Sequence, residues 1–189
     1  MDNLDNTLGD RIVYRGRLPL EWRLAHAEPT AIELSSLNNE NAKLLRVFRA
    51  LDEAPGESGD NNTELQQAII KLDAKLDLIL GLMGEMLSRQ NVLPPAHDFA
   101  LSELGLVWVE KSDQTLPEAP GEPAYIDLYL KPDFPQPIKF FGHIGIKKRG
   151  TKSVQLAARF HGMSEELQDE LAKLIFRQHR RMIANRRGG

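Results

Sequence analysis

Residues 64–90, ELQQAIIKLDAKLDLILGLMGEMLSRQ, decide what kind of fold this chain has. Leu65, Ile69, Leu72, Leu76, Ile79, Met83 and Met86 recur at spacings of 4, 3, 4, 3, 4 and 3. That spacing is a heptad repeat with Leu65, Leu72, Ile79 and Met86 at d and Ile69, Leu76 and Met83 at a, so the segment reads as a helix and not as a strand. At about 1.5 Å of rise per residue the seam is roughly 30 Å long. Leu80 and Leu87 fall at e, Leu82 at g and Leu78 at c. Apolar side chains outside a and d give the helix more than one neighbour, whereas a two-stranded zipper carries charges at e and g. Leucine at a followed by isoleucine at d favours three or four strands. Each buried seam residue is worth about 1.5–3 kcal/mol before ordering entropy is subtracted. Gly81 and Gly84 fall at f and b, away from the seam. The segment is therefore expected to join copies of the chain, with a homotetramer as the leading state.

Working outward, SSLNNENAKLLRVFRALDE predicts a second helix over about 37–53, with Ser35 or Ser36 as N-cap. Leu37, Asn41, Leu44, Phe48 and Leu51 form its stripe, expected to wrap around the outside of the heptad helix. APGESGDNN, residues 54–62, is a turn by composition, and Pro94-Pro95 ends the helical region. On either side the texture is β. RIVYRGRLPLEWRL alternates, with Leu18, Leu20, Trp22 and Leu24 at every second position, and Pro19 suggests an edge or a bulge. ALSELGLVWVE turns at Gly105. AYIDLYLKP places Ile126, Leu128 and Leu130 on one face, and PIKFFGHIGIKKRG and SVQLAARF continue the series. MSEELQDELAKLIFRQHRRMIANRR closes the chain as a helix capped by Ser164, with Leu167, Leu171, Leu174, Ile175 and Met182 as its stripe. One strand cannot bury its face alone, so the strand before the helices must join those after them. The expected division is a loose tail (1–10), the first part of a β-domain (11–34), an inserted helical oligomerisation segment (35–91) and the rest of the β-domain with its helix (92–189).

Composition narrows the function. The 189 residues are 41% hydrophobic and 27% charged, with a net charge of −3 and no cysteine. Disulfides, thiolate zinc sites and a cysteine nucleophile are excluded, and a cytoplasmic setting fits. No stretch reaches the ~18 uninterrupted apolar residues of a membrane span. His26, His97, His143, His161 and His179 show no metal-ligand spacing, and no phosphate loop or nucleophile elbow appears. The acidic pair Glu165-Glu166 is explained by a helix N-terminus, and the basic RQHRRMIANRRGG by a helix C-terminus. No enzyme, cofactor or metal is expected, and nucleic acid is not the expected partner.

The succession RIVYRGRLPLEW, ALSELGLVW, GEPAYIDLYL, IKFFGHIGI and VQLAARFHGMSEELQDELAKLIF resembles a PilZ domain. The resemblance covers about 11–34 and 92–185. Together with the extra helices, it extends to the atypical tetrameric form of the family known from xanthomonads. It implies an α+β fold, a small six-stranded antiparallel β-barrel with a C-terminal helix, carrying an inserted pair of long helices that forms a coiled coil. It also implies a bacterial protein of cyclic di-GMP signalling, type IV pilus motility or virulence. The family binds cyclic di-GMP through R-x-x-x-R and [D/N]-x-S-x-x-G. Arg11 and Arg15 match the first formally, and Arg177 and Arg181 match it too. Ala100, Ser102 and Gly105 align with the second, but Ala100 has no hydrogen-bonding side chain. Glu103 adds negative charge where two phosphates would lie. The expectation is a non-enzymatic adaptor that self-associates and has lost standard dinucleotide binding. The alternative is a cyclic di-GMP receptor using Arg11, Arg15, Ser102 and Gly105.

Overall fold

A computed structural model describes residues 7–9, 11–52, 72, 76, 93–111, 116–131, 134 and 136–187, with the side chains at 50–52 and 185–187 set aside. Six strands alternate inward and outward side chains and close on themselves. They are β1 (Tyr14–Leu24), β2 (Ala96–Leu101), β3 (Gly105–Lys111), β4 (Glu122–Leu128), β5 (Ile138–Arg149) and β6 (Ser153–Phe160). The order around the barrel is β1-β2-β3-β6-β5-β4, and every pairing is antiparallel. This is the six-stranded antiparallel barrel expected from the sequence.

β1 holds the ring closed because it is long enough to serve two partners. Tyr14–Pro19 pairs with β2, and Leu20–Leu24 pairs with β4. Pro19 stands where the partner changes. It has no N–H to offer, but its carbonyl accepts from the Tyr129 N–H at 3.0 Å. No edge is involved, contrary to what the proline suggests in sequence. Leu20, Leu101, Leu106, Trp108, Ile126 and Leu128 fill the interior, fully or almost fully buried.

Two helices cover this core, α1 (Ala31–Asp52) and α2 (Glu165–Arg187). α2 begins where its cap predicts, since the Leu167 N–H donates to Ser164 Oγ at 3.2 Å. α1 begins earlier than Ser35 or Ser36 suggests. Thr30 and Glu33 form a reciprocal capping box: Thr30 N donates to Glu33 Oε2 at 2.7 Å, and Glu33 N donates to Thr30 Oγ1 at 3.3 Å. A stronger cap upstream outcompetes the serines.

The stripe of α1 is also spent differently from expectation. Leu44, Leu45 and Phe48 join Leu167, Leu171, Leu174 and Ile175 of α2 in the barrel's own core cluster. Asn41, read as part of the apolar stripe, is a polar clamp. Its Nδ2 donates to the Lys139 carbonyl at 2.6 Å, and the Lys139 N–H donates to its Oδ1 at 3.1 Å. Arg46 pairs with Glu166, and Arg49 with Glu170 at 3.1 Å, joining α1 to α2. The heptad helix, the second member of the expected long pair, lies outside the described residues except for Leu72 and Leu76. Both are helical and exposed in the single chain, at 63% and 49%.

Two outcomes follow for stability. Asn41→Ala removes both hydrogen bonds to the Lys139 backbone and is expected to cost about 1–3 kcal/mol, read from the urea midpoint. At α1, the Thr30 backbone N–H, and then its hydroxyl, hold the Glu33 carboxyl below its ordinary value of 4.5. A carboxylate depressed in the folded state stabilises above its unfolded pKa, and that contribution disappears as pH falls through the folded value. Thr30→Ala is therefore expected to lower the thermal midpoint at neutral pH, with the gap from the parent narrowing as pH falls below 4.5.

Candidate functional site

The two motif fragments meet on the outer face of the barrel. The β1–β2 register sets Arg15 directly opposite Ala100, and Gly16 opposite Phe99. The row continues from Ala100 to Val107 on β3 and from Val107 to Ala157 on β6. Val107 and Ala157 are buried although their side chains lie outside the interior cluster. This row floors a groove of about 340 Å³ whose lining includes Leu8, Arg15, Asp98, Ala100, Lys147 and Gln155.

Lys147 reaches the groove through a backbone irregularity. Ile146 pairs with Leu156 and Lys148 with Gln155, so Lys147 is the extra residue of a bulge in β5. A bulge of this kind re-aims a side chain. The IKKR run in β5 carried the charges, but nothing in it said which lysine turns toward the groove.

Arg11, Ser102 and Gly105 are committed elsewhere. Arg11 forms an ion pair with Glu103 at 2.5 Å, beside the turn that joins β2 to β3. Ser102 is fully buried. Its Oγ accepts from the Leu104 N–H at 3.2 Å, and its own N–H donates to the Gly105 carbonyl at 2.9 Å. The serine therefore builds the turn. Gly105 is there because the chain comes too close for a side chain. A Cβ at this position would stand 2.4 Å from the Ala158 carbonyl oxygen and 2.6 Å from Thr7 Cγ2.

Thr7 belongs to the region read as a loose tail, yet it is fully buried. Leu8, next to it, lines the groove, and Gly9 turns the chain with φ of 58°. The electrostatic frame is mixed. Arg15 and Lys147 flank the groove, while Asp98 lies 3.8 Å from Arg17. Burial pushes the Tyr14 phenol, beside Arg15 in β1, above its ordinary pKa. Among the described residues no three His, Cys, Asp or Glu side chains are placed to hold a metal. No described helix is long and apolar enough to cross a membrane.

A family model described as "Atypical PilZ domain, cyclic di-GMP receptor" matches residues 45–188. The chain belongs to the atypical PilZ domain family. The matched span contains Ala100, Ser102 and Gly105 and the whole heptad segment, and it begins after Arg11 and Arg15. Among solved structures, a tetrameric PilZ domain protein of Xanthomonas campestris is similar, with a TM-score of 0.75 and 24% identity over 95% of this chain and 94% of the other. That protein is described as a pathogenic protein self-assembled through an unusual helical bundle. No curated protein sequence matches. The shared fold is the barrel with its helices.

Gly105→Ala puts a methyl group against the Ala158 backbone. It is expected to destabilise this PilZ chain by about 1–3 kcal/mol, measured as a shift of the denaturant midpoint at unchanged slope.

Proposed function

We propose that this PilZ protein is a non-enzymatic adaptor that self-associates through its heptad helix, as a tetramer, and has lost the standard mode of cyclic di-GMP binding. The observation that carries the reading is the exposure of Leu72 and Leu76, consecutive d and a positions of the seam, at 63% and 49% in the single chain. Two leucines on one helical stripe in water are worth about 1.5–3 kcal/mol each when a neighbour covers them. The stripe of α1 is already buried on its own subunit, so it is not free to cover the seam. The similar Xanthomonas campestris protein is a tetramer built through a helical bundle, which supports the same arrangement here.

Loss of the standard ligand mode is supported at the groove. Ala100 offers no hydrogen bond, Ser102 is spent on its turn and Glu103 neutralises Arg11. Four copies of one surface held together convert weak partner contacts into multivalent ones. By its family the partner belongs to cyclic di-GMP signalling, type IV pilus motility or virulence regulation in the bacterial cytoplasm.

The second reading is a cyclic di-GMP receptor using Arg11, Arg15, Ser102 and Gly105. It is favoured by the exposed Arg15 guanidinium at the groove edge and by the family description.

Size-exclusion chromatography with light scattering tests the assembly. The parent is expected at the mass of four chains, and Ile79→Asp is expected to dissociate it while the β-sheet circular dichroism persists. A monomeric parent at working concentration overturns the assembly. Titration calorimetry with cyclic di-GMP separates the two readings: heat at micromolar concentration that vanishes in Arg15→Ala establishes the receptor.

A further inference from the structure

The β5–β6 hairpin gathers cations at one end of the barrel. Residues 147–152 read KKRGTK, four basic side chains in six residues. The Gly150 N–H donates to the Ser153 carbonyl at 2.8 Å and closes the turn. Arg149 stands opposite Val154, and Lys111, the last residue of β3, stands opposite Ser153. Strict alternation would turn one of Lys147 and Lys148 toward the core. The bulge prevents this, because Lys148 pairs with the outward Gln155 and Lys147 lines the outer groove beside the same glutamine. Lys111, Lys147, Lys148, Arg149 and Lys152 are all exposed. Among the described residues Lys111, Lys148, Arg149 and Lys152 form no ion pair. Glu110, next to Lys111, faces inward, where its Oε2 accepts from the Trp22 indole N–H at 3.3 Å. On the β4 side the Glu122 carboxylate is level with Ile144 and accepts from the Glu118 N–H at 3.1 Å. The whole chain has 24 basic and 27 acidic side chains, so with these five set apart 19 basic ones are left against 27 acidic. The tip is therefore opposite in sign to the rest of the molecule.

That arrangement discriminates among polyanions. A nucleic-acid duplex is followed by a stripe of cations, and a single strand by stacking aromatic side chains. The tip from Lys147 to Ser153 has no aromatic residue, and its cations form a cap on the barrel end in place of a stripe. A flat anionic surface can meet this cap alone and leave the acidic remainder of the molecule facing away from it. Clusters of about four to eight Lys and Arg are drawn to anionic lipid, each cation adding about fivefold to the partitioning. We propose that the β5–β6 hairpin, with Lys111, is a docking surface for an anionic lipid bilayer and holds the barrel end-on against the phosphate headgroups. The attachment is peripheral and electrostatic, with no segment entering the hydrocarbon. It goes beyond the adaptor reading and does not depend on it, since one barrel carries the whole surface.

Co-sedimentation of the full chain with vesicles, at about millimolar lipid and about 50 mM salt, tests this. Vesicles of phosphatidylcholine and phosphatidylglycerol in equal parts are expected to carry the protein down, and vesicles of phosphatidylcholine alone are not. Salt at about 500 mM, where the Debye length is about 4 Å, is expected to release it. Lys148→Gln with Arg149→Gln is expected to lower the partitioning about twentyfold, at about fivefold for each charge. Arg180→Gln with Arg181→Gln removes two cations from α2 instead and is expected to leave it within about twofold of the parent. The thermal midpoint of the hairpin variant is expected to match the parent. Should it not, Lys111→Gln with Lys152→Gln takes its place with the same expectation. Absence of binding to the phosphatidylglycerol vesicles overturns the proposal, as does equal binding to the two kinds of vesicle. So does a hairpin variant that binds like the parent, or an equal loss in the α2 variant. Labelled duplex DNA at the same salt is the rival ligand and is expected not to bind. DNA binding tighter than vesicle binding, and lost in the hairpin variant, assigns the tip to nucleic acid and overturns the proposal.

Discussion

The two hydrogen bonds between Asn41 and the Lys139 backbone fix how the helical part of the chain is joined to the barrel. β6 reaches only to Phe160, opposite Gly142, while β5 begins at Ile138. The first residues of β5 therefore have β4 on one side and no strand on the other. A part-buried backbone amide left unpaired there would cost up to about as much as a lost hydrogen bond. The Asn41 side chain supplies donor and acceptor together and stands in for one residue of the missing strand. The clamp needs both groups of one amide in one orientation, so it fixes the position of α1 along its axis. Asn38, one turn earlier, donates to the Gly162 carbonyl at 2.8 Å and fixes its start.

With α1 held in this way, the apolar contacts fall into place. Phe48 meets Phe134 edge to face at 5.7 Å, and Leu44 and Leu45 meet the α2 leucines. The ion pairs of Arg46 and Arg49 lie along the seam between the two helices, and their exposed part adds little on its own. The physical consequence is stiffness. α1 is part of the barrel's own core, so it moves with the barrel as one body.

Much of the fold could be read from the sequence, because period is a local property. Alternation in AYIDLYL placed Ile126 and Leu128 inside, and the stripe of Leu167, Leu171, Leu174 and Ile175 placed α2 on the core. The errors share a cause. Asn41 repeats with the α1 stripe, and its partner lies 98 residues away. Thr30 was available as a cap, but the serines nearer the apolar run obscured it. Val107 and Ala157 sit at outward positions and are buried all the same, which no alternation rule shows. At the site, the alanine at position 100 and the paired Glu103 were visible as departures from a motif. The burial of Thr7, the committed hydroxyl of Ser102 and the bulge at Lys147 depend on backbone approach, which residue types do not encode.

Closure of the ring has a further consequence for the proposed assembly. Barrels gathered in that way would collide far more often than free ones. An open sheet in that setting would present unpaired backbone to its neighbours and template the growth of a fibre. Here β1 closes the circle, and the short bare stretch of β5 is covered by an asparagine, so the barrel offers a neighbour side chains in place of backbone.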